Sequence, residues 1–200
     1  MNKKLLFAAM ALGATVYACN PKPSSSSQND TTQIAKDPVD TALVGAPNSS
    51  EFAAQAAIGG MTEVESSAKM IKRTENPEIQ TMAVMMVKDH GAANAELKAI
   101  AKKEKLNLPQ TLPQEKLQAL ADIESLSEEA QNLAYAELMV REHEEAVSLF
   151  SSAGQSEPNP ALKAFASKHL PTLKAHLAHA QSVLKNLSGA AKKSGTGKSE

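Results

Sequence analysis

Four ionisable side chains interrupt apolar helical stripes in this sequence, and together they could hold a metal ion. His90, His143 and His176 each lie in a stripe of Ala, Val, Leu and Met residues spaced three or four apart. Glu63 lies in a similar stripe nearer the N terminus. Such spacing marks the buried face of an amphipathic helix. The sequence therefore predicts one carboxylate and three imidazoles in a core, where unpaired polar groups are costly.

The same four residues are predicted to share one level of the fold. Two Asn-Pro pairs mark short turns between antiparallel helices, because asparagine is a helix cap and proline suits the first helical position. Glu63 and His90 lie almost equally far from the first turn. His143 and His176 lie almost equally far from the second. Each hairpin thus brings two inward ionisable groups to one height.

This constellation predicts a transition-metal site with Glu63, His90, His143 and His176 as ligands. Neutral imidazole is a good ligand for Fe, Zn and Cu, so the metal is left open. The alternative is that the histidines hydrogen-bond to one another, to Glu63 or to water, and only specify the packing. Met86 and Met139 lie one turn before an inward histidine and suit copper(I), although inward methionine is more often a core filler.

Other polar residues of these helices are predicted to lie outside the site. His169 faces inward but is about 10 Å from the common level. His179 lies about 60° around the helix from His176. Asp89 and Glu142 are displaced by about 90–100° from their stripes.

Four long helices are predicted to position these residues, with no alternating strand pattern. They span about residues 50–74, 77–105, 127–153 and 160–187, and a short helix lies at about 114–123 in the long connection. Gly154 and Gly189 are the predicted stops of the last two long helices, and Pro171 should kink the last one. Two hairpins joined by a long crossover predict an all-α, ferritin-like four-helix bundle.

The composition agrees with helices and disfavours several functions. Aromatic residues make up only 3% of the 200 residues, so the core must be built from Ala, Leu and Met, which are helix formers. Few aromatic rings and a net charge of −1 disfavour nucleic acid as a partner. The single cysteine excludes an intramolecular disulfide. No Ser/His/Asp, Cys/His or phosphate-loop motif and no Glu-x-x-His di-iron motif occurs, so catalysis is not expected.

The N-terminal residues predict export and a lipid anchor. Lys3 and Lys4 precede an apolar run over residues 5–16, which is too short to span a membrane. Val16-Tyr17-Ala18-Cys19 then resembles a bacterial lipobox, with a bulkier residue than usual at position 17. This resemblance implies cleavage before Cys19 and lipidation of its sulfur. The alternative is an ordinary signal peptide with an incidental cysteine.

The predicted organisation follows from these segments. Residues 1–18 are a signal peptide, 19–47 are lipidated Cys19 and a flexible tether, 48–187 are the helical domain, and 188–200 are a disordered tail. We expect the domain to be attached by its lipid to a bacterial membrane of the cell envelope, the outer membrane, with its body in the periplasm or on the surface. Protein partners are left open.

The helical body resembles the bacterial family labelled domain of unknown function 4142. The matching segments are Gly59–Glu65, Asn76-Pro77, Met86–His90, Ala93–Leu97, Met139–His143, Ala146–Phe150 and Leu170–Leu177. The resemblance covers about residues 51–184. It implies a ferritin-like four-helix fold in an exported, often membrane-anchored protein, and it implies no established reaction. His169 departs from the family pattern, in which a small polar residue is usual.

The sequence alone therefore leaves two functions open. The first is an envelope-anchored lipoprotein whose bundle core binds a divalent or copper ion. The second is a structural or stress-related interaction module of the envelope, with no metal and no catalysis.

Overall fold

The computed structural model describes the backbone of residues 48–195 and the side chains of residues 48–189. These residues form five helices and no strand: α1 (Ser49–Arg73), α2 (Pro77–Glu104), α3 (Gln114–Glu124), α4 (Glu128–Ser156) and α5 (Pro160–Gly195). The prediction of an all-α fold with four long helices and one short helix is confirmed. The predicted signal peptide, Cys19 and the whole tether lie outside the described residues.

Three asparagines determine where helices begin. The side-chain oxygens of Asn48, Asn76 and Asn159 accept hydrogen bonds from backbone N–H groups two or three residues further on. Such a cap contributes about 1 kcal/mol by pairing a donor that the helix leaves free. At the second and third of these caps the next residue is proline, which has no N–H to satisfy. The starts of α1, α2 and α5 are therefore local features of the sequence.

The predicted ends of α4 and α5 were too early, because neither glycine stops its helix. A Cβ atom on Gly154 would lie 3.2 Å from Ser167 Oγ, so this glycine serves the close approach of α5 to α4. Gly189 costs about 1 kcal/mol relative to alanine, but alanines and lysines follow it and favour helix. Residues 188–195 thus continue α5 instead of starting the predicted tail. The helix also continues through Pro171, and the kink there stays a prediction.

The four long helices form two antiparallel hairpins with their turns at opposite ends. Helix α1 packs against α2 and α4, and α5 packs against α4 and α2. Thr74, in the first turn, donates a 2.7 Å hydrogen bond to Asn132 near the start of α4. Ser49, at the start of α1, donates to Glu157, in the second turn. Each long helix is therefore antiparallel to its neighbours, and the crossover that contains α3 returns along the bundle, as in ferritin-like folds.

The core consists of two apolar halves with a polar layer between them. One half, which we call the methionine half, contains Met70, Met82, Met86, Met139 and Tyr135. The other, the phenylalanine half, contains Phe52, Phe150, Phe165 and several small alanines. Each long helix contributes one buried ionisable residue to the polar layer. In the sequence of that helix, this residue stands between the buried residues of the methionine half and those of the phenylalanine half. This layer consists of Glu63, His90, His143 and His176.

Candidate metal centre

Three histidines from three helices converge at the middle of the bundle. His90 Nε2 lies 3.2 Å from His143 Nε2 and 3.2 Å from His176 Nδ1. One nitrogen of each ring lies within 4.8 Å of the other two. The exposed fractions of the three residues are 6%, 0% and 3%. The fold thus brings the three histidines to one level, as their distances from the turns indicated.

The opposite nitrogen of each ring is held by an acceptor. His90 Nδ1 donates to Glu63 Oε2 at 2.6 Å. His143 Nδ1 donates to the backbone oxygen of Met139 at 2.8 Å. His176 Nε2 donates to Asp89 Oδ2 at 3.1 Å. Carboxylates and carbonyls only accept hydrogen bonds, so each outer nitrogen carries the ring proton and this network assigns the tautomers.

The three inner nitrogens consequently present lone pairs to one another. A neutral histidine with a protonated outer nitrogen has no proton left for its inner nitrogen. A hydrogen bond between two of these rings needs a proton on one inner nitrogen. In a neutral ring that proton is then missing from the outer nitrogen, which loses its bond to the carboxylate or carbonyl. A metal ion, an extra proton or a water molecule that donates to these nitrogens would satisfy the three lone pairs.

The two inner separations that involve His90 are compatible with a metal ion. Imidazole nitrogens bind zinc at about 2.0–2.1 Å, and in tetrahedral geometry two such ligands lie about 3.3 Å apart. Each of these two separations is 3.2 Å, which is also the length of a hydrogen bond between two imidazole rings, and the third pair of nitrogens lies within 4.8 Å. The outer acceptors are also the partners that orient metal-bound histidines in proteins.

Glu63 joins this cluster from the outer side of the rings. Besides its bond to His90, its Oε1 lies 3.4 Å from His143 Nδ1, whose proton is already directed at Met139. This buried oxygen has no hydrogen-bond partner among the described residues. Glu63 is not a member of the inner group of nitrogens. The structure thus places the predicted fourth ligand next to the histidines, but against the nitrogens that face away from the centre.

Asp89 and Glu142, which were predicted to lie outside the site, each form a hydrogen bond beside it. Asp89 reaches His176 because α2 packs against α5 as well as against α1. Glu142 is 4% exposed and accepts bonds of 2.7 and 2.9 Å from Lys116 Nζ on α3. One feature of the sequence could have indicated these contacts, since each carboxylate immediately precedes an inward histidine. A residue about 100° from one helical contact can face the next neighbour of a bundle.

The remaining two histidines lie apart from the inner group. His169 binds Glu96 at 2.9 Å, and its ring lies 4.5 Å from that of Phe165. His179 Nε2 is buried with no hydrogen-bond partner among the described residues.

The electrostatics favour the neutral form of His143 and His176 and the charged form of Glu63. Burial lowers the pKa of His143 below its ordinary value, against the opposing influence of Glu63. Burial also lowers the pKa of His176, and the neighbouring histidines add to this effect, while Asp89 opposes it. Burial by itself would raise the pKa of Glu63, but the charge and hydrogen bond of His90 and the other two histidines hold it below its usual value. Neutral imidazoles are the form that binds metal.

A large cavity borders this cluster on the side of the phenylalanine half. Its volume is about 270 Å³, and Glu63, His90 and His176 are among the residues that line it, together with Phe150 and Phe165.

Comparisons with known proteins identify the family and the fold. The model of the family described as domain of unknown function (DUF4142) matches residues 33–183, so the chain belongs to this family. A DUF305 fragment from Deinococcus radiodurans superposes with a TM-score of 0.61, and CopM in its Cu(II)-bound form with a TM-score of 0.59. Each is 14% identical and covers 68% of this chain and 95% of its own. These likenesses confirm the helical, ferritin-like fold. Comparison with curated proteins finds no match, and no described helix is long and apolar enough to cross a membrane.

The lowered histidine pKa values predict that the metal-free protein loses stability in mild acid. As the pH falls from neutral, the unfolded chain takes up protons at His143 and His176 near pH 6.5. The folded chain takes them up only at a lower pH, because burial lowers these two pKa values. Stability therefore rises with pH through this window and falls on acidification. We expect chelator-treated protein to melt at a lower temperature at pH 5.5 than at pH 7.5. The His143→Leu variant should show a smaller difference, and an equal difference would contradict the assignment to this cluster.

Proposed function

We propose that this member of the DUF4142 family is an envelope-anchored protein that holds one divalent transition-metal ion on His90, His143 and His176. The observation that carries the proposal is the set of three buried nitrogens whose lone pairs face one another. Each is held in that state by a hydrogen bond on the opposite side of its ring. A metal ion accepts all three lone pairs, whereas a single proton is shared by two at most.

The charges around the cluster support a divalent ion. Glu63 and Asp89 contribute two formal negative charges, and the three imidazoles are neutral in the assigned tautomers. Glu63 is buried in a core where uncompensated charge is costly. A divalent ion would compensate the buried charge of Glu63, and it would also attract Asp89, whose side chain is 35% exposed and therefore partly screened by solvent.

The donor set favours copper or zinc over iron. Three imidazoles suit both Cu(II) and Zn, and Cu(II) binds most tightly among the divalent first-row ions. CopM, which has the same fold, was solved in a Cu(II)-bound form. The carboxylate-rich ligand set of ferritin-like di-iron proteins is missing from the inner group. Copper is therefore the first metal to test and zinc the second.

In this proposal Glu63 and Asp89 are positioning residues that hold His90 and His176. They keep one tautomer of each ring and increase its basicity toward a metal. Met139 does the same for His143 with its backbone oxygen, which no side-chain substitution removes.

Elemental analysis tests the metal centre. Protein purified without an affinity tag is stripped with chelator, reloaded with Cu(II), Zn or Fe(II), and dialysed. We expect about one ion per chain in the unmodified protein, about one in His169→Gln, and near zero in His143→Leu, whose apolar side chain suits the buried position. Circular dichroism verifies that each variant is helical. A metal content near zero for all three ions in the unmodified protein would instead favour the metal-free structural module.

A matched pair of variants on α1 tests the role of Glu63. Glu63→Gln should bind copper about 10–100 times more weakly at unchanged stoichiometry, because it loses the charge that supports His90. Glu65→Gln is the control, since Glu65 is a half-buried residue whose side chain is 40% exposed and paired with Lys69. Competition with a chelator measures the affinities, and X-ray absorption reports the ligand atoms. Loss of an oxygen ligand in Glu63→Gln would show that Glu63 ligates the metal directly.

Anchoring through lipidated Cys19 is the second part of the proposal, and the lipobox-like sequence supports it. Fractionation of the producing bacterium should find the unmodified protein with the outer membrane. The Cys19→Ser variant should leave the membrane fraction. Equal distribution of the two proteins would argue for an ordinary signal peptide.

A further inference from the structure

The cavity beside the three histidines is built from an unusual concentration of aromatic rings. The chain has four phenylalanines and no tryptophan. Phe150 and Phe165 line the cavity with ring centroids 5.7 Å apart. Phe52 packs edge-on against Phe150 with centroids 5.3 Å apart. Every phenylalanine of the described residues therefore lies in or directly behind this one wall.

The size of the cavity suits a ring-shaped molecule. An engineered apolar cavity of about 150 Å³ binds benzene. The cavity here measures about 270 Å³, so it can hold a five- or six-membered ring with a small substituent. Alanines on three helices also line the cavity, and their small side chains leave its space open: Ala56, Ala93 and Ala146.

The charged groups around the cavity disfavour an anion. Lys116 donates to both oxygens of Glu142, and this pair lies on the cavity wall. Glu63 and Asp89 accept hydrogen bonds from histidines and add two negative charges to the lining. Glu145 adds a further carboxylate to the lining. An uncharged molecule therefore fits this site better than an anionic one.

The cavity also borders the metal centre, since His90 and His176 line it and His143 does not. Metal sites with three protein ligands commonly keep a position for a molecule from outside the protein.

We propose that this cavity is a binding site for a small, flat, uncharged molecule that carries a nitrogen donor, of the imidazole or pyridine class. Its ring contacts Phe150 and Phe165, and its nitrogen faces the centre held by His90 and His176. This inference rests on the proposed metal function, and it assigns that function a specific small-molecule ligand class.

A spectroscopic titration tests the proposal on the full-length mature chain loaded with Cu(II). The probe is 4-methylimidazole, azide is the anionic comparison, and the copper absorption and electron paramagnetic resonance spectra report binding. We expect saturable binding of 4-methylimidazole about tenfold or more tighter than azide. Tighter binding of azide, or no spectral change on adding 4-methylimidazole, overturns the proposal.

Variants that fill the cavity distinguish binding of the small molecule from binding of the metal. Ala93→Leu on α2 and Ala146→Leu on α4 should each keep the copper content and weaken 4-methylimidazole binding by about tenfold or more. Ala92→Leu, an exposed position next to Ala93 on α2, should leave both quantities unchanged. Full copper content with unweakened probe binding in the filled variants overturns the ligand site alone. Copper content near zero in the unmodified protein overturns the metal function and the ligand site together.

Discussion

The arrangement of this bundle depends on three hydrogen bonds that hold the ring protons of His90, His143 and His176 away from one another. The acceptors come from α1, from α4 itself and from α2, so all four long helices contribute to one buried layer. Leaving a buried polar group without its partner costs about 1–3 kcal/mol. A shift of α1, α2 or α5 along its neighbours would break at least one of these contacts, whereas the bond of His143 lies within α4. The layer therefore specifies the register of the helices as well as the chemistry of the centre.

This layer also divides the core into two halves with different properties. The methionine half is filled by flexible side chains that adapt to irregular gaps, and Met86 and Met139 belong to it as fully buried core residues. The phenylalanine half combines rigid rings with small alanines and leaves a cavity next to the histidines. The polar layer thus has a closed apolar side and an open one. This asymmetry gives the site a direction from which a small molecule can approach.

Much of the fold followed from local signals in the sequence. The asparagine caps and the prolines after Asn76 and Asn159 gave the helix starts, because a cap bonds to backbone groups only two or three residues away. Helix ends were less predictable. Gly154 lies inside α4, where an added Cβ atom would lie 3.2 Å from Ser167 Oγ on α5, and no local pattern records that close approach. The partners of Asp89 and Glu142 were missed for the same reason, since both depend on which helices lie side by side.

The sequence by itself determined which side chains face inward and at which height, because helical periodicity and distance from a turn are properties of the chain alone. It also determined the family, through motifs in a fixed order. Only the tertiary structure decided which nitrogen of each histidine faces the centre, and on which side of the rings Glu63 lies. A ring's tautomer is set by the acceptor that a second segment brings to its far side. That acceptor is Glu63 on a neighbouring helix for His90, and Asp89 on another for His176.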